Sequence, residues 1–234
     1  MRIEETIKSL AHNLGADLCG IAPVERFANA PPGFQPRDIF PQAQSVVVLA
    51  KRFPEGPFHA HSPIPYSAAN DVILQEVARL AVLLCAGIEA QTVVRAVPIL
   101  SEPYEYWDVE NREGRALLSL KHAGWLAGLG VMTANSLLTN ERYGNRICLG
   151  AALLDSELEG DALADYSFDC KRCGLCINAC PVHAIAEQRV TQRLCRTHSE
   201  GRTTKGYPVY VCNECRRVCP NGAGSQRTGK ERPS

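Results

Sequence analysis

The chain has 234 residues, 45% of them hydrophobic, and no formal net charge, enough for a sizeable core and against a purely disordered or polyanion-coating protein. No apolar run approaches the ~18 residues a membrane-spanning helix needs, so no membrane association is expected. The charge is unevenly spread: residues 1–167 carry 13 Lys+Arg against 20 Asp+Glu, and residues 168–234 carry 12 against 5.

From the N-terminus, Ile3, Ile7, Leu10 and Leu14 recur at helical spacing, and Gly15 follows as a C-terminal stop. Asp17 to Ala22 reads as a short buried strand ending at Pro23, and 29–44 as loop. Ser45 to Ala50 is a β-branched run, predicting a central strand. A Pro/His loop (51–65) precedes a helix from Ala68 to Ala86, closed by Gly87, and a third strand over Thr92–Val97. After the polar loop Asp108–Glu113, a helix is expected over Gly114–Ala127. Asn135–Leu138 and Arg146–Leu154 read as strands joined through the turn at Tyr143-Gly144-Asn145. Acidic residues 155–165 look like a linker, and the chain ends in a mobile basic tail. Strands alternating with helices, with a late hairpin, predict an α+β fold whose mixed sheet is covered by helices.

Eight of the eleven cysteines fall in the last 65 residues: Cys170, Cys173, Cys176 and Cys180 before Pro181, then Cys195, then Cys212, Cys215 and Cys219 before Pro220. The first run has the spacing of bacterial two-cluster ferredoxins, in which the fourth cysteine ligates the other cluster. Eight thiolates suffice for two [4Fe–4S] cubes. Cys170, Cys173 and Cys176, with Cys219 crossing over, are assigned to one cluster. Cys212 and Cys215, with Cys180 crossing the other way, are assigned to the second. A symmetric repeat would place a cysteine at 209, where Val209 stands, so Cys195 completes that set by elimination. Gly174 lets backbone approach the cluster without a side chain. Structural zinc usually takes two spaced Cys pairs, and a disulfide framework needs an oxidising compartment. Met1-Arg2-Ile3-Glu4-Glu5 begins an amphipathic helix and not a signal peptide, so a cytoplasmic location is expected.

A basic C-terminal region taken alone suggests nucleic acid. Here Lys171, Arg172, Arg216 and Arg217 flank ligands to cubes carrying about two negative charges each, and offset them. A basic face also suits an acidic electron donor such as a ferredoxin or flavodoxin.

The segments Ala16-Asp-Leu-Cys-Gly-Ile-Ala-Pro23, Pro41-Gln-Ala-Gln-Ser-Val-Val-Val-Leu49, Ala127-Gly-Leu-Gly130 and Tyr143-Gly-Asn-Arg-Ile-Cys-Leu-Gly150 precede the cysteines in order. Together with them, including the isolated Cys195, the chain resembles the epoxyqueuosine reductase family up to about residue 220, and is similar to the catalytic core of corrinoid reductive dehalogenases. The resemblance implies a nitroreductase-like α+β core able to hold cobalamin (residues 1–160), a ferredoxin-like double-cluster domain (161–222) and a tail (223–234). It also implies electrons passing through the clusters to the corrinoid. Two departures stand out. Gly130-Val131-Met132-Thr133-Ala134-Asn135 occupies the place of the family's Gly-Trp-Ile-Gly-Lys-Asn, and no acid stands near Val97-Pro98-Ile99, where the family carries its catalytic aspartate. Full-length members continue as helical repeats that help bind tRNA. The expectation is therefore a related reductase acting on another, small-molecule substrate, with tRNA not expected as a partner.

Gly128-x-Gly130 follows a helix and lacks the third glycine of a dinucleotide fingerprint, so it is read as tight packing or as a corrinoid-facing turn in which Gly128, Gly130 and Asn135 are the candidate contacts. A flavin is the alternative cofactor. The catalytic residues are not assigned. Tyr104-Glu-Tyr-Trp-Asp108 reads as an aromatic surface loop, His59 and His61 as exposed loop residues, and Cys19, Cys85 and Cys148 as core thiols. The alternative to an enzyme is an electron-transfer or partner-docking protein.

Overall fold

The computed structural model describes residues 2–168, 170–186 and 189–227. Helix α1 (Ile3–Leu14) buries Ile7 and Ala11 and ends at Gly15, whose φ of 109° is the left-handed conformation glycine permits. Strand β1 (Leu18–Pro23) follows as expected, while the 29–44 loop contains one short helix, α2 (Pro36–Ile39). Strand β2 (Ser45–Arg52) runs two residues past its predicted end. Helix α3 (Ile64–Gln91) is longer than predicted at both ends and continues through Gly87. That glycine does not stop the helix. A Cβ there would lie 2.8 Å from Leu10 Cδ2, so Gly87 lets α1 and α3 pack closely.

Strand β3 (Ala96–Ile99) starts later than predicted, because Thr92 caps α3 with its hydroxyl on Ile88 O. The predicted helix over Gly114–Ala127 forms only in its second half. Tyr106–Asp108 (β4) and Glu113–Arg115 (β5) form a hairpin instead, and α4 spans only Leu120–Leu126. The hairpin turns through Asp108, whose carboxylate accepts from both Asn111 N and Asn111 Nδ2. Val131–Met132 (β6) pairs with Leu138–Thr139 (β7), leaving Asn135 in the connecting turn, not in a strand. Strand β8 (Ile147–Leu154) pairs with β2 and β3, not with 135–138 as predicted.

The main sheet has the order β1-β2-β8-β3, and every neighbouring pair is antiparallel, so it is not the mixed sheet expected. Its two central strands are buried on both faces. Val47, Leu49, Ala152 and Leu154 point into one core with α1 and α3, while Val46, Val48, Ala151 and Leu153 point into a second core with α4. This two-sided burial explains why β2 and β8 read as unbroken apolar runs instead of alternating ones.

Residues expected to form a free linker are strapped to the sheet. Ser45 Oγ accepts from Leu158 N, and Asp161 exchanges bonds with β1 through its own N–H to Ile21 O and its carboxylate from Ile21 N. Beyond the strap lie α5 (Cys170–Cys173), α6 (Leu175–Asn178), the pair β9 (Ile185–Ala186) and β10 (Arg189–Val190), α7 (Gln192–Ser199), the pair β11 (Glu200–Arg202) and β12 (Pro208–Tyr210), and α8 (Glu214–Arg217). The predicted tail is docked at its start: Gly222 O accepts from Asn145 N, and Ser225 N donates to Glu141 O. Residues 228–234 of that tail lie outside the described residues.

Candidate metal centres and cavity

The eight clustered cysteines sort into two sets. Cys170, Cys173, Cys176 and Cys219 line a cavity of ≈520 Å³ together with Phe168 and Asn221. Gly174 starts α6 there with φ 61°, the left-handed conformation that turns the chain between Cys173 and Cys176. Cys180, Cys195, Cys212 and Cys215 instead line a second cavity of ≈1220 Å³ that reaches into the body of the protein. The thiols feel one another by set. Burial is the main cause that pushes Cys219 up to about 11, with Cys170, Cys176 and Cys173 adding to it. Burial likewise dominates at Cys212, with Cys195 and Cys180 adding, and pushes Cys215 up to about 12, with Cys195 and Cys212 adding. Cys176 is a lesser contributor at Cys215 and so links the sets. Thiols held so high become thiolates only beside a strong positive charge, as a metal provides. Among the described residues, no three Cys, His, Asp or Glu side chains converge on a point that one metal ion would occupy. The sulfurs surround space instead.

Local backbone supports the second set. Cys180 Sγ accepts from Ala184 N at 3.2 Å, and Cys180 packs with Ala184 and Ile185 in a small apolar cluster reaching Cys176, Cys195 and Cys215. Cys195 rides on α7, which the β4–β5 hairpin grips. Gln192 accepts from Gly114 N at 3.0 Å and donates to Gly114 O at 3.1 Å, Arg112 pairs with Glu200 at 2.5 Å, and Arg196 donates to Tyr104 Oη at 2.9 Å. The Arg196 guanidinium also lies over the stacked rings of Tyr104 and Trp107, at 5.0 and 4.7 Å. The aromatic loop is thus a docking surface for α7, a role with no signal in the sequence beyond its ring content.

The three residues read as a corrinoid-facing turn are separated by the structure. A Cβ on Gly128 would sit 2.2 Å from Ala162 O, and one on Gly130 would sit 2.5 Å from Thr139 O. Their missing side chains make room for the strap and for β7, and neither residue lines either of these two cavities. Asn135 is buried and lines both cavities. Its Oδ1 accepts from Thr133 Oγ1 at 2.9 Å and its Nδ2 donates to Cys215 O at 3.1 Å, which ties the body directly to a cysteine of the second set.

Sequence reading missed the large cavity's charge. Arg26, Arg115, Lys121, Arg189, Arg196 and Arg216 line it, and the one carboxylate among the described lining residues, Glu214, is engaged by Arg217. Lys121 Nζ donates to Ser136 O at 2.7 Å, and its pKa is drawn down from 10.5 by burial first and then by Arg216. His122, hydrogen-bonded to Ser119 Oγ at 2.7 Å, is drawn below 6.5 by burial and then by Lys121. Arg216 is half-buried. Its Nη1 is buried without a hydrogen-bond partner, and its guanidinium stands 5.2 Å over the Phe53 ring. Tyr66 and Cys148 are its close neighbours, and burial pushes both of their pKa values up. His59 is paired with Glu55 at the surface, and Cys19 and Cys85 are thiols that burial pushes up to about 12.

Residues 167–186 match the family model described as a 4Fe-4S binding domain. The chain is 31% identical to the epoxyqueuosine reductase of Lactococcus garvieae over 108 residues, covering 42% of this chain and 30% of that one. It is 32% identical to that of Escherichia coli over 116 residues, covering 45% and 30%. The match to the Listeria monocytogenes enzyme is weaker, at 25%, and broader, covering 81% and 51%. The chain is similar in sequence to epoxyqueuosine reductases over part of their length. It spans about a third to a half of the length of these relatives. Its fold is that of an epoxyqueuosine reductase solved with a tRNA-Tyr epoxyqueuosine-modified stem loop (TM-score 0.67, 18% identity, 94% of this chain and 65% of that one). It is also that of a reductive dehalogenase whose structure suggests a mechanism for B12-dependent dehalogenation (TM-score 0.73, 19% identity, 96% and 32%). Among the described residues no helix is long and apolar enough to cross a membrane.

Proposed function

We propose that this chain is an iron–sulfur oxidoreductase with a nitroreductase-like body. In it, Cys170, Cys173, Cys176 and Cys219 hold one [4Fe–4S] cluster and Cys180, Cys195, Cys212 and Cys215 hold a second. The observation that carries this is the division of the eight thiols: one set closes its own small cavity, and the other opens on the large one. All-thiol sets of four suit such clusters. Cys173 is exposed, so the first set faces a ferredoxin- or flavodoxin-type donor, while the second faces the reaction space.

The large cavity is the proposed site of a corrinoid and of the substrate, with a flavin as the alternative cofactor. At ≈1220 Å³ it exceeds the usual range for a drug-sized ligand, and Phe34, Leu120, Trp125, Leu126 and Met132 give it flat apolar walls. A corrinoid bound there would supply a strongly reducing cobalt centre. The chain's own residues orient and protonate. Asn135 fixes the floor between the two cavities, with Gly128 and Gly130 shaping the turn behind it. The cationic lining selects an anionic substrate, because among the described residues its charges form no ion pair with a carboxylate. Lys121, whose ammonium donates to Ser136 O and whose pKa is drawn down by burial and then by Arg216, is the proposed proton donor.

Absorption spectra of anaerobically reconstituted protein, with cobalamin or FMN added, test this reading. About eight iron and eight sulfide per chain, with a cobalamin spectrum shifted on binding, is the expected result. Full clusters with no response to either cofactor would leave an electron carrier. Binding of a small anion weakened by Lys121→Gln supports the small-substrate reading; preferential binding of a tRNA stem loop would replace it.

A further inference from the structure

Arg216 holds a charge that its surroundings do not answer. Its guanidinium lies deep between Tyr66, Cys148 and Cys215, its Nη1 is buried with no partner, and no described carboxylate forms an ion pair with it. The nearest acid along the chain, Glu214, is taken by Arg217 at 2.6 and 3.2 Å. Lys121 adds a second positive charge nearby. Arg146 makes the contrast: that arginine is buried, and Glu55 neutralises it. A buried, unpaired cation is costly, so one kept beside a cysteine ligand implies an anion that occupies the site in the working protein.

We propose that Arg216 is the fixed counter-charge of the cluster held by Cys180, Cys195, Cys212 and Cys215, and that it raises the reduction potential of that cluster. The inference rests on the two-cluster reading above. A four-thiolate cube carries about two negative charges and gains another on reduction. A fixed cation beside it favours the more negative state, and within the protein this attraction is only weakly screened. The effect falls with distance, so it acts mainly on the cluster to which Cys215 is bound. Electrons entering at the first set then settle on the second, against the cavity.

Redox titration followed by electron paramagnetic resonance, on the anaerobically reconstituted full chain, reads this directly. In Arg216→Gln, one of the two midpoint potentials is expected to fall by at least a tenfold change in equilibrium constant, about 59 mV for a one-electron couple, while the other moves far less. Arg216→Lys should keep both near their original values. If Arg216→Gln retains eight iron with both potentials unchanged, or if Arg216→Lys falls as far as the glutamine variant, the proposal is wrong. If Arg216→Gln and the volume-preserving Arg216→Met both fail to load half of the iron while Arg216→Lys loads all of it, the need for a counter-charge stands. If the lysine variant also fails to load, Arg216 acts by shape and the proposal falls. Unaltered protein that assembles no second cluster would remove the two-cluster reading itself, and this inference with it.

Discussion

The body and the cysteine-rich segment are built on different terms. The body buries two full layers of apolar side chains against one sheet, including Leu49, Leu80, Leu84 and Leu153 at almost no exposure. The segment from Cys170 onward has one small cluster, with Cys180, Ala184 and Ile185 as its buried members. Burial at about 25 cal/mol per Å² suffices to hold the first, whereas the second depends on what its thiols bind and on its stitches to the body. The lesson is that one chain can combine a body ordered by apolar packing with a thiol-rich segment that has little core of its own.

The largest effect should come from removing iron. Limited proteolysis of the chelated protein is expected to cut within 168–220 while 1–155 resists; equal resistance with and without iron would erase the contrast. Next, Cys195→Ala should lose about half the iron, since its set has no other thiol to offer, whereas Cys148→Ala should leave iron content unchanged; both are read by iron quantification. In the opposite direction, Leu84→Ala should cost the body about 2–5 kcal/mol in denaturant unfolding yet leave the cluster spectrum intact. Gln192→Ala removes two bonds to Gly114, about 1 kcal/mol each, and should speed chelator bleaching of one cluster only. The smallest effect concerns pH. Because His122 is held below its ordinary 6.5 in the folded state, its contribution to stability is whole above pH 6.5 and declines as pH falls below it. His122→Gln should flatten that part of the stability curve measured by thermal unfolding.

Much of the frame was legible because its signals are local. Ile3, Ile7, Leu10 and Leu14 mark α1 by period, and the runs at 45–52 and 147–154 mark the central strands by continuous apolarity. The two cysteine sets are assigned by spacing and elimination, and the proposed members of each line a cavity of their own. What escaped was long-range. The β4–β5 hairpin looks like polar loop because its strands are short and its partner is α7, some 80 residues on. Gly87 reads locally as a helix stop, and Gly128 and Gly130 as tight packing or a ligand-facing turn; only the neighbours Leu10, Ala162 and Thr139 decide. The acidic strap read as linker because its polar side chains bond the edge of β1, a partner more than a hundred residues away. The cationic cavity has no sequence pattern, since its charges come from several separate segments.

The grip of residues 104–115 on α7 also fixes an order of events in making the protein. Cys195 is presented to its set by a helix that Gly114, Arg112 and Tyr104 hold from the body. Cys170, Cys173 and Cys176 are neighbours along the chain and can gather without that help. The proposed second cluster would therefore have all its ligands only after the body has closed on its C-terminal part. Whatever machinery delivered iron and sulfide there would meet a chain that has already passed an inspection of its fold.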